Sequence, residues 1–207
     1  MVQIQLHEYA HALVAVALTG SATVHGAMVT NPEAADEAAI ALAGPIFSLL
    51  LGTVVYAASR PLRSGLTRAF LTWASLAALQ GTFGYLMIAA VVPVGDTAVA
   101  FEARGVPVPG YVLAGAVGVV GMLLSAYLLA REITRFFSDP QDVLAASVWT
   151  WLVATAFLLV VYTTAAFFAG LDGQLFVATV VGPATALVSA PMATFFWTRH
   201  AAPRPAL

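Results

Sequence analysis

The residues best suited to chemistry lie near the start of the chain, in the pentapeptide His7-Glu8-Tyr9-Ala10-His11. If this segment is helical, His7 and His11 lie one turn apart on one face, as two imidazoles that bind one metal ion require. A catalytic Zn²⁺ site uses three protein ligands and a water, with imidazole nitrogens at about 2.0–2.1 Å. Glu8 points about 100° around the helix from His7, which suits a general base that reaches the water without binding the metal. We therefore predict one Zn²⁺ per chain.

A third ligand has to come from another part of the chain. Asp96 follows a long apolar segment and the helix breaker Pro93, at a point where the backbone can unwind and turn a carboxylate inward. We favour Asp96 over two alternatives. Asp172 lies in a Gly-Leu-Asp-Gly segment that is also typical of a plain turn. Glu102 is expected to be a solvated loop charge beside Arg104.

The elements that position these residues are predicted from the distribution of charge. Of 207 residues, 61% are apolar and 9% are charged, against about 25% charged in soluble domains. The charges leave six uncharged stretches, each longer than the ~20 residues a helix needs to cross a bilayer. Backbone in lipid must satisfy its own hydrogen bonds, so runs of this length are helices. The sequence therefore predicts an all-α membrane protein of about six transmembrane helices, near residues 1–20, 39–58, 68–92, 110–130, 144–168 and 174–198.

These spans are expected to form a single polytopic domain over residues 1–200, followed by a flexible tail at 201–207. Loop 21–30 alternates in polarity like a strand, which favours a short β-hairpin. The net charge of −2, with eight Arg and no Lys, excludes a nucleic-acid binder that works through a basic patch. The absence of Cys excludes disulfides, thiolate metal sites and a cysteine nucleophile.

Three motifs, in this order, resemble those of the site-2 protease family of intramembrane zinc metallopeptidases. The first is the pentapeptide at 7–11; the second is Ala43-Gly44-Pro45-Ile46-Phe47-Ser48, which is similar to the family's A-G-P-x-x-N. The third is the segment Pro93–Asp96, which is similar to N-x-x-P-x-x-x-x-D-G. The resemblance covers about residues 1–100, the expected protease core, whereas residues 110–198 supply three further spans.

The resemblance implies a protease that hydrolyses peptide bonds of transmembrane or membrane-anchored protein substrates by zinc-activated water. It also implies a multi-pass protein of a prokaryotic cell membrane. By this resemblance His7, His11 and Asp96 are the zinc ligands and Glu8 is the catalytic base. The alternative is a non-proteolytic membrane protein that reuses the fold for metal binding, transport or regulation. A transporter typically shows internal repeat symmetry, which is not evident in the sequence.

Two further residues become candidates for contact with substrate through the resemblance. In the family, a hairpin comparable to loop 21–30 lies beside the site and pairs with extended substrate, so His25 is expected near the entrance. Ser48 stands where the family usually has an Asn that is thought to hold substrate backbone. Asp96 is followed by Thr97, where the family has Gly.

The distribution of arginine predicts how the chain lies in the membrane. Seven Arg lie in loops 59–68 and 131–142 and in the tail 199–207, whereas only Arg104 lies in the loops of the other face. By the positive-inside rule the first set is cytoplasmic, so the site is expected to open to the outside, opposite to the usual orientation in the family. Because only six residues precede His7, we also expect further apolar residues upstream of this sequence.

Overall fold

The computed structural model describes residues 2–25, 28–30, 36–63, 65–92 and 94–133, and isolated positions between 136 and 160. Within this part of the chain there are five α-helices and one two-stranded hairpin. Helix α1, Val2–Thr19, contains the His-Glu-x-x-His motif. It is followed by strand β1, Thr23–His25, which pairs antiparallel with strand β2, Met28–Thr30. A hairpin therefore lies where the alternation of loop 21–30 predicts one.

Helix α2, Glu37–Ser59, runs antiparallel to α1 and contains Pro45. Its first residue is set by Asp36, whose side-chain oxygen accepts a hydrogen bond from the backbone N–H of Ala39 at 3.0 Å. Such a cap satisfies one of the four backbone donors that every helix start leaves unpaired. The cap fixes where α2 begins, and with it the register of the residues that face α1.

Helix α3, Leu66–Val91, lies against α2, and helix α5, Val108–Ile133, lies antiparallel to α3. In the sequence, a short helix, α4, Asp96–Ala103, lies between α3 and α5. Glycines allow α3 and α5 to approach closely. A Cβ on Gly118 would lie 2.7 Å from the backbone of Phe83 and Met87. Small residues at such contacts are the usual means of packing helices in membranes.

The start of α3 and the end of α5 are joined by a buried ion pair. Arg68 Nη2 lies 2.7 Å from Glu132 Oε2, and Arg68 Nη1 donates to the carbonyl of Leu62 at 2.8 Å. Both charged side chains are almost fully buried. Removing one partner of such a pair typically costs about 3–5 kcal/mol. The sequence analysis counts Arg68 with the loop 59–68. In the structure Arg68 lies in the first turn of α3, where its ion pair links α3 to α5.

Three of the described helices are long and apolar enough to cross a membrane: Glu37–Ser59, Leu66–Val91 and Val108–Leu129. These match the second, third and fourth predicted spans. Helix α1 matches the first predicted span in position but is not one of the three, because Gln3, Gln5 and the His-Glu-x-x-His motif lower its hydropathy. The fifth and sixth predicted spans and the tail 201–207 lie largely or wholly outside the described residues, so the count of six remains a prediction.

We expect Gly118→Ala to destabilise the protein by about 1–3 kcal/mol, the usual cost of overpacking, because the added methyl meets backbone atoms that cannot move aside. The measurement is unfolding of the detergent-solubilised protein by heat or denaturant. The matched control is Gly81→Ala, in which the methyl would meet only Gln3 Nε2, at an ordinary 3.7 Å. Equal stability of the two variants would contradict close packing of α3 on α5.

Candidate metal centre

The two histidines of helix α1 face the interior of the helix bundle. His7 and His11 are each 5% exposed, and their ring centroids lie 4.8 Å apart with the rings nearly perpendicular. The four-residue spacing places both rings over helix α2, because side chains four positions apart share a helix face. The motif therefore presents two ring nitrogens to one small volume between α1 and α2.

Asp96 reaches this volume from a part of the sequence 85 residues or more beyond the two histidines. Helix α3 ends at Val91, Gly95 adopts a positive φ of 83°, and Asp96 opens helix α4. The sequence predicts an unwound segment at Asp96. In the structure the non-helical residues lie before Asp96, and Asp96 itself is the first residue of α4. Gly95 allows this reversal because a positive φ is disfavoured for residues with a Cβ.

The three candidate ligands converge. Asp96 Oδ2 lies 2.9 Å from His7 Nε2 and 3.4 Å from His11 Nε2, and one ligand atom from each residue lies within 4.8 Å of the other two. Two ligands at about 2.0–2.1 Å from a tetrahedral Zn²⁺ are roughly 3.3 Å apart. The two separations from Asp96 Oδ2 are close to this value, so the carboxylate is placed to share a small divalent cation with each imidazole.

Each imidazole is held by its other nitrogen. His11 Nδ1 donates to the backbone carbonyl of Ile40 at 2.6 Å, because a carbonyl can only accept. His7 Nδ1 lies 2.9 Å from Ser48 Oγ. Hydrogen bonds of this kind fix the orientation of metal-binding histidines. In His11 the proton on Nδ1 leaves the lone pair of Nε2 free to bind a cation.

Gly44 supplies the space in which the ring nitrogens converge. A Cβ at this position would lie 2.2 Å from His11 Nε2 and 2.5 Å from His7 Nε2. Real atoms do not approach this closely, so no other residue type fits without displacing the two rings. The backbone of α2 therefore forms one wall of the candidate metal centre, and the missing side chain leaves room beside both nitrogens.

Tyr85 and Gly95 complete the support of His7 and Asp96. The ring of Tyr85 stacks on that of His7, with centroids 5.7 Å apart and planes 17° apart. A Cβ on Gly95 would lie 2.9 Å from the Tyr85 ring. Gly95, which precedes Asp96, therefore packs on the same Tyr85 ring that stacks on His7. This shared contact links the position of Asp96 to that of His7.

Helix α4 is fixed to the start of α2, which places Asp96. Ala100 packs on Ala38 and Ala41 of α2, and Arg104, which caps the end of α4, pairs with Asp36. Asp36 thus caps α2 and binds the end of α4 at the same time. Glu102, which is predicted to be a solvated loop charge beside Arg104, is exposed as expected but belongs to α4 and not to a loop.

The charge of Asp96 suits a ligand. Burial acts to raise the pKa of its carboxyl, but the hydrogen bonds of His11 and His7 act in the opposite direction and hold that pKa below its ordinary value. Asp96 is therefore an ionised carboxylate at neutral pH, which is the form that binds a cation.

Glu8 lies beside this group without belonging to it. Its side chain is 7% exposed and close enough to His7, His11 and Asp96 to interact with their charges. Among the residues that the structure describes, the converging ligand atoms come from the two histidines and Asp96. A buried carboxylate next to a cation site but outside its ligand set is the position that a general base requires.

The remaining predicted site residues have different positions. Ser48 is 1% exposed and contacts His7. Its hydroxyl therefore faces the candidate ligand His7 and not an open cleft. Glu102 is exposed and is not part of the converging group. The backbone of His25 pairs with Met28 in the hairpin, and its side chain lies outside what the structure describes. Asp172 also lies outside the described residues.

Comparison of the chain with protein-family models, with curated proteins and with solved structures finds no match in any of the three. The resemblance to the site-2 protease family therefore remains an expectation from the motifs. What the chain does must be inferred from the chemistry of the converging residues.

We expect Gly44→Ala to abolish metal binding, because its methyl would occupy the space beside both Nε2 atoms. The loss of affinity should exceed the about 10–100-fold that outer-shell changes typically cost. The measurement is zinc content after equilibrium dialysis, with Gly81→Ala as the matched glycine control. Wild-type zinc content in Gly44→Ala would show that the ion does not bind at this wall of α2.

Substitution of the two candidate aspartates identifies the third ligand. We expect Asp96→Ala to lower zinc affinity by more than about 100-fold, since a direct ligand should matter more than its supports. Asp172→Ala should leave zinc content unchanged. The measurement is zinc stoichiometry of each purified variant. The reverse result would assign the carboxylate ligand to Asp172.

Proposed function

We propose that the chain is an intramembrane zinc metalloprotease that cleaves peptide bonds of transmembrane or membrane-anchored proteins. The observation that supports this most directly is the convergence of His7, His11 and Asp96, with ligand atoms within 4.8 Å of one another, beside the buried carboxylate of Glu8. Two imidazoles, one carboxylate ligand and a separate carboxylate base form the combination that metal-assisted hydrolysis needs.

The ion would be held by His7 Nε2, His11 Nε2 and Asp96 Oδ2. When bound, zinc polarises a carbonyl and makes a water nucleophilic at neutral pH. The fit of the residues to the ion is supported by the distances among the ligand atoms and by the space that Gly44 leaves beside both imidazoles. Two imidazoles and one carboxylate are also a donor set seen in catalytic zinc sites.

Glu8 would move the protons of the reaction. Its carboxylate accepts a proton from the attacking water and delivers a proton to the amide nitrogen that leaves. General base and acid catalysis of this kind typically contributes about 10²–10⁴-fold to the rate.

The surroundings of the site support a substrate in the membrane. Helices α2, α3 and α5 are each long and apolar enough to cross a bilayer, and α2 and α3 provide contacts to His7. His11 lies eight residues before the end of α1 at Thr19, or roughly 12 Å at 1.5 Å per residue. With α1 across the bilayer, the reacting bond would lie below the surface, within a half-thickness of about 15 Å.

The decisive test is Glu8→Gln. We expect this variant to retain one zinc per chain and to lose about 10²–10⁴-fold in cleavage rate, because the amide cannot accept the proton of water. The measurement is release of a fluorescent domain from a library of single-span reporter proteins, in vesicles that contain the purified enzyme. The matched control is Glu102→Gln, an exposed glutamate of α4, which should cleave at the wild-type rate.

Two outcomes would overturn the proposal. If wild-type protein with one zinc per chain cleaves no member of the library, the non-proteolytic alternative is favoured. If Glu8→Gln cleaves as fast as wild type, hydrolysis does not use Glu8 as its base.

A further inference from the structure

We propose that Ser48 is a positioning residue that holds His7 in the orientation required of a metal ligand. This inference rests on the proposed metal centre and extends it to the residues that prepare the ligands. It also assigns Ser48 a role different from the substrate contact that the resemblance implies. The observation is the 2.9 Å separation of Ser48 Oγ and His7 Nδ1 in a buried setting.

Ser48 is enclosed and its hydroxyl has a second partner. The residue is 1% exposed, and its Oγ accepts a hydrogen bond from Gln3 Nε2 at 3.3 Å. Gln3 lies one helical turn before His7 on α1 and therefore on the same face. A buried hydroxyl held between two side chains of α1 is not available to bind substrate, whereas it is well placed to orient His7.

The support of both histidines comes from one face of helix α2. Ile40, Gly44 and Ser48 are spaced four residues apart, so they lie on three successive turns of that face. The carbonyl of Ile40 accepts from His11, the hydroxyl of Ser48 contacts His7, and Gly44 leaves the space between them. Because α1 and α2 are antiparallel, the supports follow in reverse order: His11 is held by Ile40, and His7 is held by Ser48, which lies eight residues further along α2.

The two supports differ in what they can do. The carbonyl of Ile40 only accepts, so it keeps the proton of His11 on Nδ1. The hydroxyl of Ser48 can either donate or accept. In the absence of an ion, the hydroxyl can donate to Nδ1 of His7 while the Nε2–H of His7 donates to Asp96. When Nε2 binds an ion, the hydroxyl can instead accept a hydrogen bond from Nδ1–H. His7 thus has a partner for Nδ1 in both states, and no buried nitrogen is left unpaired, which would cost about 1–3 kcal/mol.

The test compares the affinity of three variants for Zn²⁺ and Co²⁺, measured on the full chain in detergent against a chromophoric chelator. We expect Ser48→Ala to bind both ions about 10–100-fold more weakly, the usual effect of removing an outer-shell partner. Its Co²⁺ absorption spectrum should also change, because His7 is no longer held in one orientation. We expect Ser48→Thr, which keeps the hydroxyl, to restore the wild-type spectrum.

The matched control is Ser125→Ala. Ser125 is also 1% exposed, and its hydroxyl donates only to the carbonyl of Gly121 within α5. This variant should keep wild-type affinity and spectrum. Unfolding measurements on all variants separate a loss of metal binding from a loss of fold, and alanine is well tolerated in helices.

The outcomes distinguish this inference from the proposed function. Wild-type affinity and spectrum in Ser48→Ala, with metal bound by the wild type, would overturn the positioning role alone. Failure of the wild-type protein to bind either ion would overturn the metal centre and this inference with it. A weakened Ser48→Ala site in a protein that cleaves nothing would support the inference while the protease proposal fails.

Discussion

The geometry of this protein depends on one constraint: two imidazoles and a carboxylate must converge against the backbone of a helix. The converging nitrogens lie where a side chain on Gly44 would be. A helix surface normally covers its backbone with side chains, and here a single missing Cβ opens room for the ring nitrogens of His7 and His11. The positions of α1, α3 and α4 can all be understood as ways to bring ligands and their supports to this opening.

Each ligand is held by a contact from a different element. Helix α2 supports both histidines by hydrogen bonds, helix α3 adds the stacked ring of Tyr85, and the reversal at Gly95 turns Asp96 inward. The pair of Asp36 with Arg104 then fixes the far end of α4. If the centre binds an ion as proposed, most of its order is present beforehand, and preorganised ligands reduce the cost of binding.

The sequence predicted the ligand set more easily than the supports. The spacing of His7 and His11 predicts two candidate ligands by itself, and the structure brings both to one group with Asp96. The length of the uncharged stretches predicts α2, α3 and α5. Asp96 could be proposed because a helix breaker precedes it, although the new helix that begins there was not predicted. The support from Ile40 could not be found, because every residue has a carbonyl and only the packing of α1 on α2 selects one. The stacking of Tyr85 on His7 could not be predicted either, since it depends on the register of α3.

The close packing of α3 on α5 limits which parts of the molecule can move. Gly118 brings the two backbones together, and separating the ends of α3 and α5 near Arg68 and Glu132 would break their buried ion pair. The two helices therefore form one rigid wall behind His7, because Tyr85 belongs to α3. If the proposed protease function holds, we expect a polypeptide substrate to reach the candidate ligands from a side other than this wall.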